Sequence, residues 1–95
     1  MKYVKTDGPI AVISVLGPYD LVTSMAVSEE LANVFSHGCT RVEVDFDNTS
    51  FIDSAAVGEL VKIRRRVGPD NFRIKNFKGE VLQVLKGAKL LEWAK

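Results

Sequence analysis

The chain has one cysteine, Cys39, and one histidine, His37, among its 95 residues. A lone thiol cannot close an intramolecular disulfide, and so few Cys and His residues leave no ligand set for a structural zinc. Cys39 reads as a small reduced residue near the start of a strand. His37 precedes Gly38 with no carboxylate or thiol cluster to match it, which supports neither a metal site nor a triad; it reads as a helix-end residue meeting free carbonyls. Net charge is scarce as well: a formal +1 gives no global attraction to nucleic acid or to an anionic membrane. No apolar run approaches the roughly 20 residues of a membrane span. The start, Met1-Lys2-Tyr3-Val4-Lys5-Thr6, lacks the apolar segment and cleavage site of a signal peptide, so a cytoplasmic location is expected. Phosphate-loop glycine spacing is missing too: Gly58 is isolated, and Gly68 and Gly87 read as helix stops. No cofactor, metal or catalytic constellation is expected, and the chain reads as a non-enzyme.

What is present is ordinary globular material. Apolar residues at 46% and charged residues at 26% exclude disorder, and the length suits one domain over residues 1–95. Residues 2–6 and 10–17 read as strands joined at the turn signal Asp7-Gly8, with Pro9 just beyond. Gly17-Pro18-Tyr19-Asp20 breaks the second strand. A helix is expected from Leu21 to Ser36, because Val27, Leu31, Val34 and Phe35 recur at helical spacing, with Gly38 ending it. Residues 40–46 alternate: Val42, Val44 and Phe46 point one way, Arg41, Glu43 and Asp45 the other, so one face of the sheet is wet. A second helix should run from Ser54 to Arg66 and stop at Val67-Gly68-Pro69. A short strand, Phe72-Arg73-Ile74-Lys75, precedes a last helix carrying Val81, Leu85 and Ala88. Leu90, Leu91 and Trp93 then form an apolar tail expected to dock on the body. The fold class is α/β, in the order β-β-α-β-α-β-α, with a small mixed sheet, mainly parallel after the first hairpin, and helices mainly on one face.

The run Lys62-Ile63-Arg64-Arg65-Arg66 invites a nucleic-acid reading. Cations near a helix C-terminus are what the helix dipole favours, these wrap around more than one face, and no aromatics are interleaved. No direct nucleic-acid contact is expected.

The most informative stretch is Phe51-Ile52-Asp53-Ser54-Ala55-Ala56-Val57-Gly58-Glu59-Leu60. Here an alternating strand has just ended and an Asp-Ser pair stands where a helix begins. Either side-chain oxygen can cap the free N–H groups of that helix. From the residues alone, Ser54 is an N-cap or first-turn residue and Asp53 a cap that also fixes local charge. Thr23 and Ser24 read as helix-start residues, and Asp20 as a turn aspartate before a helix.

At this point the chain resembles the STAS family, the fold of bacterial anti-sigma factor antagonists and of the cytoplasmic domains of sulfate transporters. Asp53-Ser54-Ala55-Ala56-Val57-Gly58 is similar to the family's Asp-Ser-small-Gly-apolar-Gly signature at a strand–helix junction. Gly17-Pro18-Tyr19-Asp20-Leu21-Val22-Thr23 resembles its Gly-x-apolar-Asp-apolar-x-Thr turn, and Val81 to Leu91 its last helix with a Gly-containing break. The departures are Ala55 in place of a second Ser or Thr, Ala56 in place of Gly, and Pro18 in place of a common Glu. Ala forms helix more readily than Gly, so a stiffer helix start is expected.

The resemblance implies that Ser54 is a regulatory phosphorylation site. It implies a partner surface formed by Asp20, Asp53, Ser54, Ala55, Ala56, Val57 and Gly58, bound by an anti-sigma factor that is itself a serine kinase. It leaves room for a serine phosphatase acting on the modified form. A rival reading within the same family is an adaptor subunit of a transporter or of a larger signalling assembly.

Overall fold

The computed structural model describes residues 1–94. Its framework is a four-stranded sheet of β1 (Val4–Asp7), β2 (Ile10–Ser14), β4 (Arg41–Asp45) and β6 (Phe72–Lys75), in the spatial order β1-β2-β4-β6. The β1–β2 hairpin is antiparallel, whereas β4 and β6 pair parallel to their neighbours. Gly8 makes the hairpin turn at a φ of 59°, a left-handed value that glycine adopts without steric cost.

The alternation of each strand produces two different faces. Val4, Ile13, Val44 and Ile74 lie in register across the sheet, and Ala11, Val42 and Phe72 form the next row. All seven are buried. The other face presents Val12, Glu43 and Arg73 in one row and Ser14, Asp45 and Lys75 in the next, none of them buried. Lys75 pairs with Glu43 there. Partial burial alone would raise the Asp45 pKa, but the Asn76 amide, the Asp47 N–H and the Lys75 and Lys78 charges hold it below its usual range.

Helices cover only the apolar face, as expected. They are α1 (Leu21–Ser36), α2 (Ser54–Val67) and α3 (Gly79–Gly87). Val27, Leu31 and Val34 of α1, Leu60 and Ile63 of α2, and Val81 and Leu85 of α3 join the core, while Phe35 packs against it half-buried. Ala88 does not face the core as its spacing suggested; it is the exposed C-cap of α3. The apolar tail docks: Leu90 is buried, and Trp93 meets Phe72 edge-to-face at 5.5 Å between ring centroids.

Two strands escape the alternation. The chain does not run as one strand over residues 10–17; it turns at Val15-Leu16, and β3 (Gly17–Tyr19) starts a separate ribbon with Gly17 at a φ of 91°. Nor does it pass directly from β4 to α2, because β5 (Thr49–Ile52) intervenes and pairs parallel with β3. The order is therefore β-β-β-α-β-β-α-β-α. Both additions are too short to display a period: their burial runs half-buried–exposed–buried in one and buried–exposed–exposed–buried in the other. The ribbon is held to the main sheet by the Thr49 hydroxyl, which donates to the Val15 carbonyl at 2.8 Å.

Candidate functional site

The two ribbon strands end side by side, with Tyr19 opposite Ile52. Each is followed by an aspartate and then by a helix, so a parallel pair of strands necessarily delivers two helix N-termini to one place. Asp20 caps α1 by accepting the Thr23 N–H at 3.0 Å, and Asp53 caps α2 by accepting the Ala56 N–H at 3.0 Å. The second oxygen of Asp53 reaches across and accepts the Leu21 N–H of α1 at 3.2 Å. One carboxylate thus ties the two helix starts together. Asp53 is also anchored through its own N–H, which donates to the Tyr19 carbonyl at 3.2 Å. The Asp20 pKa is lowered, chiefly by the Thr23 N–H that it accepts.

Because Asp53 supplies the cap, Ser54 does not. Ser54 occupies the first helical position, exposed, and no hydrogen bond among the described residues uses its hydroxyl. The first intrahelical bond runs from the Val57 N–H to the Asp53 carbonyl at 3.0 Å. With Ala56 committed to the Asp53 carboxylate, the N–H groups of Ser54 and Ala55 remain the orphan donors of the first turn. A positive helix end, two unused N–H groups and an unencumbered hydroxyl meet at one residue.

The remaining residues named from the sequence separate by exposure. Gly58 is exposed, and Asp20, Asp53, Ala55 and Val57 are half-buried. Ala56 is fully buried, which corrects its place in a contact surface: it serves the site through its backbone N–H, and its methyl belongs to the core.

Sequence reasoning missed the apolar rim. Val22 is 76% exposed, Met25 63%, Leu21 58% and Phe51 38%. Leu21, Val22 and Met25 stand on the first turns of α1; Phe51 pairs with exposed Pro18 on the ribbon, one residue beyond Gly17. The available signal was that Val22 and Met25 lie off the stripe set by Val27, Leu31 and Val34.

It also missed Tyr19 and Glu59. Tyr19 is completely buried, and a hydroxyl so placed is costly unless it is hydrogen-bonded. Its partner is Glu59, on the turn of α2 after Ser54, to which the phenol donates. Burial pushes the Glu59 pKa up to about 6, against the opposing pull of the Tyr19 hydroxyl and the Lys62 charge. Burial, with the nearby Glu59 charge, pushes the Tyr19 phenol up as well. Among the described residues there is no group of three or more His, Cys, Asp or Glu able to hold a metal, and no helix is long and apolar enough to cross a membrane.

Comparison with known proteins agrees with this fold. The family model of the STAS domain matches residues 2–95. No curated protein matches the sequence. Among solved structures, the unphosphorylated form of the anti-sigma factor antagonist SpoIIAA superposes with a TM-score of 0.83 at 20% identity, covering 97% of this chain and 84% of that one. The phosphorylated form of SpoIIAA, a Bacillus cell fate determinant, gives 0.75 at 19% identity, covering 97% and 86%. An anti-sigma factor antagonist from Mycobacterium paratuberculosis gives 0.79 at 18% identity, covering 96% and 79%. At these identities the likeness is one of fold.

Proposed function

The chain belongs to the STAS domain family, and from that premise we propose that it is an anti-sigma factor antagonist, a binding module rather than an enzyme, acting in the cytoplasm. Its unphosphorylated form binds an anti-sigma factor that is a serine kinase, and phosphorylation of Ser54 releases that partner to restrain the sigma factor again. The observation that carries this reading is the exposed Ser54 hydroxyl, without structural employment, on the first turn of α2 next to the carboxylate that ties the two helix starts together.

The physics of the switch is asymmetric. A phosphate on Ser54 adds about −1.5 to −2 charges. The fold tolerates it, because Ser54 stands at the positive end of α2, where the N–H groups of Ser54 and Ala55 are not otherwise used. A docked interface does not. There the dianion would be buried against apolar side chains and beside the Asp20 and Asp53 carboxylates, without a counter-charge. A loss of about 1.4 kcal/mol is already tenfold in affinity, so a single phosphate suffices. A serine phosphatase acting on the modified form would complete the cycle.

Calorimetry against the purified anti-sigma factor tests the reading. Ser54→Ala should bind like the wild type and refuse phosphate; Ser54→Asp should bind more weakly; the phosphorylated chain should bind weakest, since a carboxylate carries less charge and fewer acceptor oxygens. Equal affinity for all these forms would replace the switch with a constitutive adaptor role in a transporter or signalling assembly.

A further inference from the structure

Between α1 and α2 lies an open trough of about 550 Å³ that begins beside Ser54 and extends to Arg66. Its α1 wall contributes Leu21, Met25, Ala32 and Phe35, with Ser24 and Ser28 between them, and no charged side chain. Gly58 stands in its α2 wall. A glycine in a helix interior is unfavourable relative to alanine, so it calls for a reason. None exists within this chain: a Cβ placed on Gly58 would meet nothing within 4 Å, and its φ is not left-handed. The space above Gly58 is open, so a group from outside the fold can approach the backbone closely there.

The charges of the trough describe what approaches. Glu59 lies near the Ser54 end, while Lys62 and Arg66 lie toward the other. The Arg66 guanidinium stacks over the Phe35 ring at 4.3 Å, which orders the side chain and leaves its N–H edge available. Among the described residues the ion pairs are Lys75–Glu43 and Lys78–Asp47, so neither Lys62 nor Arg66 makes a direct ion pair, although Lys62 lies close enough to act on Glu59. A trough between two helices that start together accepts a third helix, whose apolar side chains at i, i+3, i+4 and i+7 enter it.

We propose that this trough receives an amphipathic helix of the partner protein, acidic at the end lying over Lys62 and Arg66, without acid at the end lying over Glu59, and in backbone contact with Gly58. This deepens, and rests on, the binding function proposed above.

The test uses a helix-stabilised synthetic peptide with Leu at those four spacings and Glu at one end, titrated into the isotope-labelled full chain and followed by backbone amide shifts. Shifts should concentrate at Met25, Phe35, Gly58, Lys62 and Arg66. Replacing the peptide's Glu by Lys should weaken binding at least tenfold, and combining that peptide with the Lys62→Glu/Arg66→Glu protein should restore it. Gly58→Leu should abolish binding without lowering the thermal midpoint; a structural glycine would behave the opposite way. The proposal is overturned if neither peptide shifts these residues, if both bind alike, or if Gly58→Leu binds as well as wild type. It is also overturned if raising the concentration of the protein alone produces the same shifts, because the occupant is then a second copy. The peptide assay needs no modification at Ser54. A positive result with an inert Ser54 would sink the switch and keep the trough, and the reverse result would do the opposite.

Discussion

The two ends of α2 are finished differently. At the C-terminal end the chain supplies its own partners: the Gly68 N–H donates to Arg64 O at 2.8 Å, the Asn71 amide to Val67 O at 2.9 Å, and three arginines occupy the last turn, where the helix dipole favours cations. Two of them are further immobilised, Arg64 over Trp93 at 4.9 Å and Arg66 over Phe35. At the N-terminal end the cap is sound, but the Ser54 hydroxyl, two backbone donors and the apolar side chains beside them are left to the surroundings. The C-terminal end is tied into the fold, whereas the N-terminal end leaves its hydroxyl and donors to solvent. Contacts that close the fold and free polar groups are concentrated at opposite ends of a single helix.

The sharpest way to break that separation is to cut the tail. Truncation after Lys89 removes buried Leu90 and the Trp93 that stacks on Phe72, and should cost roughly 3 kcal/mol or more by area burial. Ser54 should still be phosphorylated under folding conditions; if modification were lost in step with stability, the two ends would not be independent. Next in size is Tyr19→Phe, which strips the half-buried Glu59 carboxylate of its donor. About 1–3 kcal/mol of destabilisation is expected in urea titration. Asp53→Ala should cost about 1–2 kcal/mol, since two helix starts lose an acceptor, whereas Ser54→Ala should stay within about 0.5 kcal/mol. Equal costs for these two would mean that the carboxylate bridge contributes nothing. The smallest effect is a pH dependence. The Glu59 pKa is raised from 4.5 to about 6, so the folded state holds this proton more tightly than the unfolded chain. Its favourable contribution is complete below about pH 4.5 and is lost as pH rises through about 6. Relative to Glu59→Gln, the wild type should lose thermal stability across that window, and parallel profiles would show that the group does not titrate there.

How much of this was legible in the sequence follows from periodicity. The four-stranded sheet, its wet face, the bounds of the first two helices and the existence of the third could be read, because Val42, Val44 and Phe46 or Val27, Leu31 and Val34 repeat often enough to define a face. The β3–β5 ribbon could not, since three or four residues contain no repeat and Gly-Pro reads as a breaker. That gap hid the site's geometry. Asp53 was legible as a cap, but its second bond to Leu21 depends on the ribbon that brings the two helices together. Tyr19 was hidden for the same reason: a tyrosine inside an apparent turn gives no sign of complete burial.

The edge-to-face contact of Trp93 with Phe72 has a practical consequence. It is the only tryptophan in the chain, and it sits at the closed end of α2 under Arg64. The 14 residues of α2 place Ser54 on the order of 20 Å away. Intrinsic fluorescence excited at the indole therefore follows undocking of the tail and global unfolding without any label, while an encounter at Ser54 leaves the emitter's surroundings unchanged. An emission shift during a titration therefore reports a change at the tail end of α2, and an encounter confined to Ser54 has to be read by another signal.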